Sequence, residues 1–361
     1  MRVAVIGAGG LLGGAVAAEL HRAGHEVVGL GRALDRSAGT PVPTAAAVAI
    51  DVDADPAELR RTLAATDPDV LVDAVGGPRH ALAEAAVDLG VPLVDLTADP
   101  HVVRERIDHL DDLARQAGVT IVVGAGIVGT PGDLLAAAAT SAVTRPREVH
   151  VAHVLPDGHL RRAATVGLRR TVTEVVARPA LAVQDAQLVE EPIAEARRLA
   201  WFPRPVGPHH AVAVPGLDPL FSPRHVPGVR VVRTYLAVRA ARAELVQAVA
   251  NLARWAPARP RVRRWVTGRR PADPSPDLRA ATRWACVVET RGDEGVARAW
   301  MNGRDPYAAA ALFATVLVER VRAGRAAAGV VPPALVDVPG ELLDEVADRS
   351  RLRWSVIRPD S

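Results

Sequence analysis

The sequence contains no lysine, so its 44 strongly basic side chains are all arginines. Without lysine the chain cannot carry a P-loop lysine, a Schiff-base lysine or the tyrosine–lysine pair of short-chain dehydrogenases. It has one cysteine, Cys286, which excludes an internal disulfide and a metal site built from several cysteines. We expect Cys286 to be a small core residue on a strand over Trp284 to Glu289, and we predict no metal site.

Long apolar runs are also missing, since none reaches the roughly eighteen residues that a membrane-spanning helix needs. Met1 leads directly into a strand-like segment instead of a signal peptide. We therefore expect a soluble, cytoplasmic protein with no membrane partner. At 361 residues, 49% of them hydrophobic, the chain is long enough for two domains. The net charge of +3 favours small anionic ligands and does not by itself indicate nucleic acid.

The most specific motif lies at the start of the chain. An apolar run of strand length, Arg2 to Ile6, leads into a GxGGxxG pattern formed by Gly7, Gly9, Gly10 and Gly13. The first glycine permits a tight turn, the middle two let a diphosphate approach the backbone, and the last lets the next helix pack closely. The amides that open this helix, including those of Leu11 and Leu12, would face the phosphates. The pattern predicts a dinucleotide site, and the alternative is a glycine-rich turn in an alanine-rich chain.

The end of the second predicted strand, His25 to Leu30, indicates which dinucleotide binds. NAD sites usually place an acid there for the ribose 2′-hydroxyl. This chain has Arg32 instead, followed by Ser37. An arginine with a nearby hydroxyl suits a 2′-phosphate through charge-assisted hydrogen bonds. We predict NADP(H), with NAD(H) as the alternative, and Arg32 could also be an ordinary solvated loop residue.

Three more residues are predicted to bind the cofactor because they follow strands. Asp51 lies at the end of the third predicted strand, Val48 to Val52, where a side chain often reaches the adenine end of the cofactor. Val75 and Gly76 form the turn after the buried strand Asp69 to Ala74, at the carboxyl edge where ligands bind.

The order of segments predicts the α/β class. Strands and helices alternate to give six parallel strands by about residue 123, a Rossmann-type doubly wound sheet. From Arg147 to Asp305 the segments are strand-rich, which favours a second α+β domain on a mixed, largely antiparallel sheet. We expect an NAD(P)-binding Rossmann domain over 1–127, a substrate domain over 128–305, and C-terminal helices over 306–361 that return to the first domain.

Five motifs, in this order and spacing, resemble those of the saccharopine dehydrogenase-like reductases. They are GAGGLLG (7–13), AVGGP (74–78), VDLTAD (94–99), GAGIVGTPGDLLA (124–136) and GDEGVARAWMNGRDPYAAAA (292–311) with a later GVVPP. The resemblance implies an NAD(P)-dependent enzyme that reduces imines formed from amino acids or carbon–carbon double bonds in lipids. The chain departs from the family where Ala85 to Pro92 lacks the usual aromatic and cysteine. It also lacks the lysine pair of the lysine-forming enzymes.

The proton donor is the least defined part of the prediction. Asp99, with Asp95, follows the fifth strand near the expected nicotinamide position, although a helix cap is the alternative. His209, with His210, follows the loop WFPRPVGP and could protonate a product, although it could also be an exposed loop histidine. Further along, a substrate carboxylate could be held by side chains that might equally form a solvated helix face: Thr165, Arg169, Arg170 and Thr171.

Two functional classes follow from these residues. The first is an NADP(H)-dependent oxidoreductase that transfers a hydride to an imine or enoyl group of a small-molecule substrate. The second is a dinucleotide-binding protein without turnover, acting as a sensor or structural protein. Arg254 to Arg270 interleaves arginines with two tryptophans as nucleic-acid sites do. Because its prolines favour a solvated or lid-like loop, we predict no nucleic-acid partner. The oligomeric state stays open, with a homodimer as one option.

Overall fold

The structure, a computed structural model, describes residues 1–32, 45–77, 80–156, 165, 169, 172, 174–175, 177–237 and 273–358. The chain divides into two compact units. Unit 1 comprises Met1–Thr130 and Tyr307–Val346, and unit 2 comprises Pro131–Pro306 and Ala347–Ser361. Some sequence predictions fall outside the described residues: Ser37, Arg170, Thr171, the helix from Ala241 to Trp255, and the segment Arg254 to Arg270.

Unit 1 is built on a parallel sheet of seven strands. They are β1 (Arg2–Ile6), β2 (Glu26–Gly31), β3 (Ala46–Ala49), β4 (Val70–Asp73), β5 (Leu93–Asp95), β6 (Thr120–Val122) and, from late in the chain, β15 (Gly329–Val331). Their spatial order is β15-β6-β5-β4-β1-β2-β3, and every neighbouring pair is parallel. The first six strands have the 3-2-1-4-5-6 order of a doubly wound sheet. The predicted Rossmann-type sheet is confirmed, and β15 extends it.

Helices precede or follow these strands in the chain. They are α1 (Leu11–Arg22), α2 (Pro56–Ala64), α3 (His80–Leu89), α4 (Pro100–Ala117), α5 (Thr130–Thr140, which begins at the unit boundary), α8 (Pro306–Arg322) and α9 (Pro339–Asp348). A short 3₁₀ turn covers Pro333–Leu335. Helix α4 ends at Gly118, whose φ of 69° is the left-handed conformation that a helix C-cap requires. No helix within the described residues is long and apolar enough to cross a bilayer.

The core of unit 1 joins the two ends of its sequence. Val3 and Val5 of β1 and Leu20 of α1 pack in one buried cluster with α8 residues that include Leu317 and Val321. Twelve of the 17 residues of α8 are buried, which its alanine-rich and apolar sequence allows. Burial of this apolar surface is the main stabilising contribution to such a core. The helix therefore completes the first unit.

Unit 2 is built on a mixed sheet of nine strands. They are β7 (Glu148–Val154), β8 (Ala180–Gln184), β9 (Gln187–Glu191), β10 (Arg197–Trp201), β11 (Pro208–Ala213), β12 (Val231–Ala237), β13 (Arg283–Gly292), β14 (Gly295–Arg304) and β16 (Arg353–Ile357). Only β12 and β7 pair in parallel among these described strands. The predicted mixed, largely antiparallel sheet is confirmed. Cys286 is fully buried on β13, as expected.

Short helices accompany this sheet: α6 (Asp218–His225) and α7 (Pro276–Ala281), with most of α5. Gly132 and Gly216 show how closely the backbone of nearby segments approaches the strands of this sheet. A Cβ on Gly132 would lie 2.9 Å from a methyl group of Val151, and one on Gly216 would lie 2.4 Å from the Thr234 methyl. Both positions therefore require glycine.

The structure differs from the sequence-based expectation at two places. The third strand lies at Ala46–Ala49 and not at Val48 to Val52, so that Asp51 falls in a turn beyond it. The end of the chain does not return wholly to unit 1, because β16 pairs antiparallel with β14. A Cβ on Gly303 would come within 2.0 Å of Leu352, so the absence of a side chain on β14 makes room for the segment that leads to β16.

Candidate functional site

The loop after β1 lies where the strand order of the unit 1 sheet reverses. β1 pairs with β2 on one side and with β4 on the other, so the chain continues to one side of β1 first and returns to the other side later. Ligands of doubly wound sheets bind in the crevice at such a switch point. The amides of Gly7 and Ala8 donate to the Leu30 carbonyl oxygen at 2.7 and 3.2 Å, which ties this loop to the end of β2.

Two glycines of the motif are required by the loop itself. Gly7 has a φ of 87°, a left-handed conformation that strains other residues. A Cβ on Gly13 would lie 2.1 Å from the Gly7 carbonyl oxygen and 2.6 Å from its carbon. Any side chain at Gly13 would therefore push α1 away from the loop. The close packing predicted from the sequence is what the structure shows.

The N-terminus of α1 is left open by its own sequence. Gly10 is the N-cap, no side chain caps the helix, and its first turn contains no acid. The first amides of a helix have no carbonyl partner within the helix, and they carry the positive end of its dipole. Gly10 is exposed, and Gly9, Leu11 and Leu12 are half-buried. The residues predicted to bind a diphosphate thus surround an uncapped, accessible helix end.

The turn after β4 lies beside the glycine loop. Asp73 ends β4, and its Oδ1 accepts hydrogen bonds from the amides of Val75 at 2.9 Å and Gly76 at 3.3 Å. Val75 is 41% exposed, and its Cγ2 lies 2.9 Å from the position a Cβ of Gly7 would occupy. The structure therefore brings Gly7, Val75 and Gly76 together across the switch point. A role in cofactor binding remains a prediction for each of them.

A buried ion network that the sequence does not reveal lies beneath this edge of the sheet. Arg106 of α4 is fully buried and contacts the carboxylates of Asp95, at the end of β5, and Asp73, at 3.5 Å. It also donates to Thr97 Oγ1 at 3.3 Å. Burial lowers the pKa of Arg106, and the Asp73 carboxylate opposes that shift. The network joins the ends of β4 and β5 to the middle of α4.

The residues predicted for the adenosine end follow neighbouring strands. Arg32 is exposed directly after β2, and Asp51 is exposed in the turn after β3. These strands pair in parallel up to Gly31 and Ala49, so their carboxyl ends meet at the same edge. The Asp51 carboxylate accepts a hydrogen bond from the Asp53 amide at 3.1 Å. Ser37 lies outside the described residues.

Asp99 is the N-cap of α4. Its Oδ1 accepts hydrogen bonds from the amides of His101 at 2.9 Å and Val102 at 3.4 Å, and the residue is 6% exposed. A carboxylate in this position satisfies two amides that the helix leaves unpaired. The capping alternative is therefore the role that the structure shows for Asp99, and its catalytic role remains a prediction. The carboxylate of Asp95 accepts a hydrogen bond from Arg106 in the ion network described above.

His209 lies in unit 2, at the start of β11 in the hairpin that joins β10 and β11. It is half-buried, its Nδ1 is 3.3 Å from the Gly207 carbonyl oxygen, and its ring meets Phe202 edge-on at 6.1 Å. His210 is exposed. The expected loop is thus an ordered hairpin, and the catalytic role of His209 remains a prediction. The Arg169 amide donates to the Thr165 carbonyl oxygen at 3.0 Å, as a helix requires.

A second buried polar pair in unit 2 also escaped the sequence reasoning. Asp133 and the side chain of His225 are nearly inaccessible, and Asp133 Oδ1 lies 2.6 Å from His225 Nε2. Asp218 is fully buried close by, and its Oδ2 accepts from the Thr234 hydroxyl at 2.5 Å. Burial, with a contribution from the Asp133 charge, raises the pKa of Asp218 to about 7. This pair involves α5 and α6, which are distant in sequence.

Comparisons with known proteins bear on both units. Residues 3–122 match the family model described as the saccharopine dehydrogenase NADP binding domain. Apo saccharopine dehydrogenase (L-Glu forming) from Saccharomyces cerevisiae matches with a TM-score of 0.66 and 15% identity, over 99% of each chain. An oxidoreductase from Agrobacterium radiobacter, solved with NAD+, L-tartaric acid and magnesium, matches with a TM-score of 0.43 and 12% identity, over 98% of each chain. No curated protein sequence matches significantly.

The yeast structure shares the fold of both units, and the family model covers the strands β1 to β6 that form the switch point. The expected resemblance is thereby confirmed. Residues 3–122 thus resemble the NADP binding domain of the saccharopine dehydrogenase family, and the chain as a whole has the fold of the yeast enzyme.

Proposed function

We propose that the protein is an NADP(H)-dependent oxidoreductase that transfers a hydride to an imine or enoyl group of a small-molecule substrate. The observation that carries this proposal is the uncapped N-terminus of α1, which opens at the switch point of the parallel sheet. The match of residues 3–122 to a family named for NADP binding supports the same ligand. In this proposal the protein binds the cofactor and the substrate and orients them, because the nicotinamide carries the hydride chemistry.

The diphosphate of the cofactor would accept hydrogen bonds from the first amides of α1, those of Leu11 and Leu12. Gly9 and Gly10 leave this surface without a Cβ, so that phosphate oxygens can approach the backbone. Val75 and Gly76 would line the cofactor on the β4 side of the crevice. The Asp73 carboxylate holds their amides, so this wall is fixed before any ligand arrives.

Arg32 would distinguish NADP(H) from NAD(H). Its exposed side chain follows β2, where the adenosine ribose of a bound dinucleotide lies in this fold. A guanidinium can donate two hydrogen bonds to one phosphate and needs no proton transfer to stay charged. Because the end of β2 carries this arginine and no acid, it favours the 2′-phosphate of NADP(H) over the free 2′-hydroxyl of NAD(H). Asp51 would contact the adenosine from the next strand.

Proton transfer is assigned to Asp99 or His209. For His209, Nδ1–H donates to the Gly207 carbonyl oxygen, so Nε2 accepts in the neutral ring and donates a proton only when the ring is protonated on both nitrogens. For Asp99, donation would require its carboxyl group to give up the two amides that it caps. His209 is therefore the better candidate of the two. The proposed cytoplasmic location and the homodimer rest on the sequence alone.

Binding of NADPH and NADH, followed by the fluorescence of the reduced nicotinamide, tests the cofactor assignment. Arg32→Asp should weaken NADPH binding by about tenfold or more, since a charge-assisted contact to the 2′-phosphate is replaced by repulsion, whereas NADH binding should be unchanged or stronger, since an acid can accept from the ribose 2′-hydroxyl. Arg104→Asp is the control, because Arg104 is an exposed arginine of unit 1 on α4. If Arg32→Asp weakens the binding of NADPH and NADH equally, the assignment of NADP(H) is wrong.

Gly10→Ala tests the loop itself. The added Cβ would meet only the Gly7 carbonyl oxygen, at 3.3 Å, so the fold should survive while both dinucleotides bind more weakly. Gly340→Ala is the matched control in unit 1, because a Cβ there would contact nothing within 4 Å. If purified protein binds neither dinucleotide, the proposal fails. If it binds NADPH tightly but oxidises it with no imine or enoyl substrate of a broad panel, the protein is the dinucleotide-binding protein without turnover.

A further inference from the structure

Unit 2 contains a half-open recess on one face of its sheet, with a volume of about 230 Å³. The cross-strand register places His150, Arg233 and Glu289 on this face, since His150 pairs with both others. The volume equals that of about eight water molecules, so the recess suits a compound of a few carbon atoms. Its lining residues all belong to unit 2: Glu148, His150, Arg198, Leu199, Tyr235, Glu289, Arg291 and Val296.

One wall of the recess is a chain of three hydrogen-bonding groups. His150 Nε2 lies 3.2 Å from Glu148 Oε2, and its Nδ1 lies 3.5 Å from the Tyr235 hydroxyl. Burial lowers the pKa of His150 to about 4, with a contribution from the Arg198 charge. The ring is therefore neutral near pH 7, so Nε2–H donates to Glu148 and Nδ1 accepts from Tyr235. Both histidine nitrogens are used within the protein.

Two guanidinium groups, those of Arg198 and Arg291, also line the recess. Arg198 is partly buried, donates to Glu289, and lies with its guanidinium carbon 5.6 Å from the Tyr235 ring centroid. The same Glu289 accepts from Arg298 Nε at 2.7 Å, so one carboxylate serves two guanidinium groups. Arg291 is exposed at the rim, with its Nε 3.7 Å from Glu148.

The charges of this group do not cancel. The lining itself carries two arginines (198 and 291) and two glutamates (148 and 289), and His150 is neutral. Arg298 does not line the recess but also donates to Glu289, so that three guanidinium groups share two carboxylates and this group has a net charge of +1. The adjacent Arg233 has its own counter-charge, because both carboxylate oxygens of Glu191 accept from its Nε, at 2.9 and 3.2 Å. Partly desolvated positive charge of this kind attracts a small anion.

We propose that this recess is a binding site for a small organic anion, whose carboxylate is held between Arg198 and Arg291. The hydroxyl of Tyr235 and the apolar Val296 would contact the rest of the molecule. The site uses none of the residues proposed for the dinucleotide, and so it goes beyond the proposed function. It is a second ligand site of the protein, specified by charge and by size.

Ligand-observed NMR titrations of the full-length protein with acetate, butyrate and succinate, at matched ionic strength, test this site. Butyramide is the neutral isostere of butyrate. We expect saturable binding of the carboxylates and none of butyramide. Arg291→Gln, at the exposed rim, and Arg198→Gln should each weaken binding by about tenfold or more, as loss of one charge-assisted contact implies. Arg230→Gln is the control, an exposed arginine of the same unit that pairs with Asp185.

NADPH binding is measured on the same variants, so that failure of the dinucleotide proposal and failure of this one are separate results. If Arg198→Gln does not fold, Arg291→Gln alone decides, because Arg291 is 63% exposed and its replacement disturbs no core. The proposal is overturned if wild-type protein binds no carboxylate. It is also overturned if butyramide binds as well as butyrate, or if Arg291→Gln binds as well as Arg230→Gln.

Discussion

Replacement of Arg106 by methionine should destabilise unit 1 more than any other single arginine substitution on α4. Methionine keeps most of the apolar stem and removes the guanidinium, so packing changes little while the charge is lost. Asp95 and Asp73 would then remain in the interior, where the residues are 0% and 2% exposed. Two buried carboxylates without a counter-charge are far more costly than any exposed pair.

The magnitude follows from the burial of all three groups. Breaking a buried ion pair by removing one partner costs about 3–5 kcal/mol. With a urea m-value of about 2 kcal/mol per molar, the midpoint of unit 1 should fall by about 1.5–2.5 M. Arg104→Met on the same helix is the control. Its partner Asp108 and Arg104 itself are 59% and 46% exposed, so the expected change is at most about 1 kcal/mol.

The six tryptophans make the assay specific for one unit. All six lie within the ranges of unit 2, so tryptophan fluorescence reports that unit, whereas far-UV circular dichroism reports both. Arg106→Met should shift the dichroism transition of unit 1 and leave the fluorescence transition in place. Adding Asp95→Asn should recover part of the loss, because one unpaired charge is removed. If Arg106→Met and Arg104→Met unfold at the same urea concentration, the ion network contributes nothing and the reasoning is refuted.

Three further outcomes are expected. Asp218→Asn should flatten the pH dependence of the stability of unit 2. The pKa of Asp218 in the folded protein, about 7, lies above the ordinary 3.8, so wild-type stability falls as the pH rises between these values. Urea midpoints measured at about pH 5 and pH 8 show the difference between the variant and the wild type. Gly13→Ala should destabilise unit 1 by about 1–3 kcal/mol or more, because its Cβ would meet backbone atoms that cannot move aside. Asp99→Ser should keep the helix cap, whereas Asp99→Ala should lower the free energy of unfolding by about 1 kcal/mol. NADPH turnover falls in both variants only if the carboxylate is catalytic.

The glycine loop could be predicted because its requirements are local. Gly13 must lack a side chain since the Gly7 carbonyl oxygen, six residues earlier, occupies that space. Strand, turn and helix follow one another within about twenty residues, and each is encoded by its own composition. The sequence signal and the steric cause are therefore the same pattern.

The role of Arg106 could not be predicted, because its partners come from other segments. It stands between Glu105 and Ile107 in a helix rich in charged residues, a setting that normally indicates a solvated face. Only the ends of β4 and β5, brought beside α4 by the sheet, make it a buried ion. His150 and Tyr235 were missed for the same reason, since they meet through the pairing of β7 with β12.

Four strands of unit 2 could not be predicted from the sequence either, because they too depend on partners in other segments. No individual strand was predicted where β8, β9 and β10 lie, and β16 follows a helix that belongs mostly to the other unit. Strand formation depends on neighbouring strands more than on intrinsic propensity. For β16 the neighbour is β14, about fifty residues earlier, and the contact between Leu352 and Gly303 needs a glycine on the partner strand.

The unit that carries the proposed cofactor site is therefore larger than the segment that matches the family model. Residues 3–122 supply six strands, but the face of their sheet that packs with α1 is completed by apolar residues of α8, and the β6 edge is covered by β15. Without residues 307–346 this apolar surface and the backbone groups of β6 would face water. Burial of such surface is the principal source of stability for a domain of this size. The glycine loop and the C-terminal return therefore belong to one folded unit, and the proposed dinucleotide site depends on both.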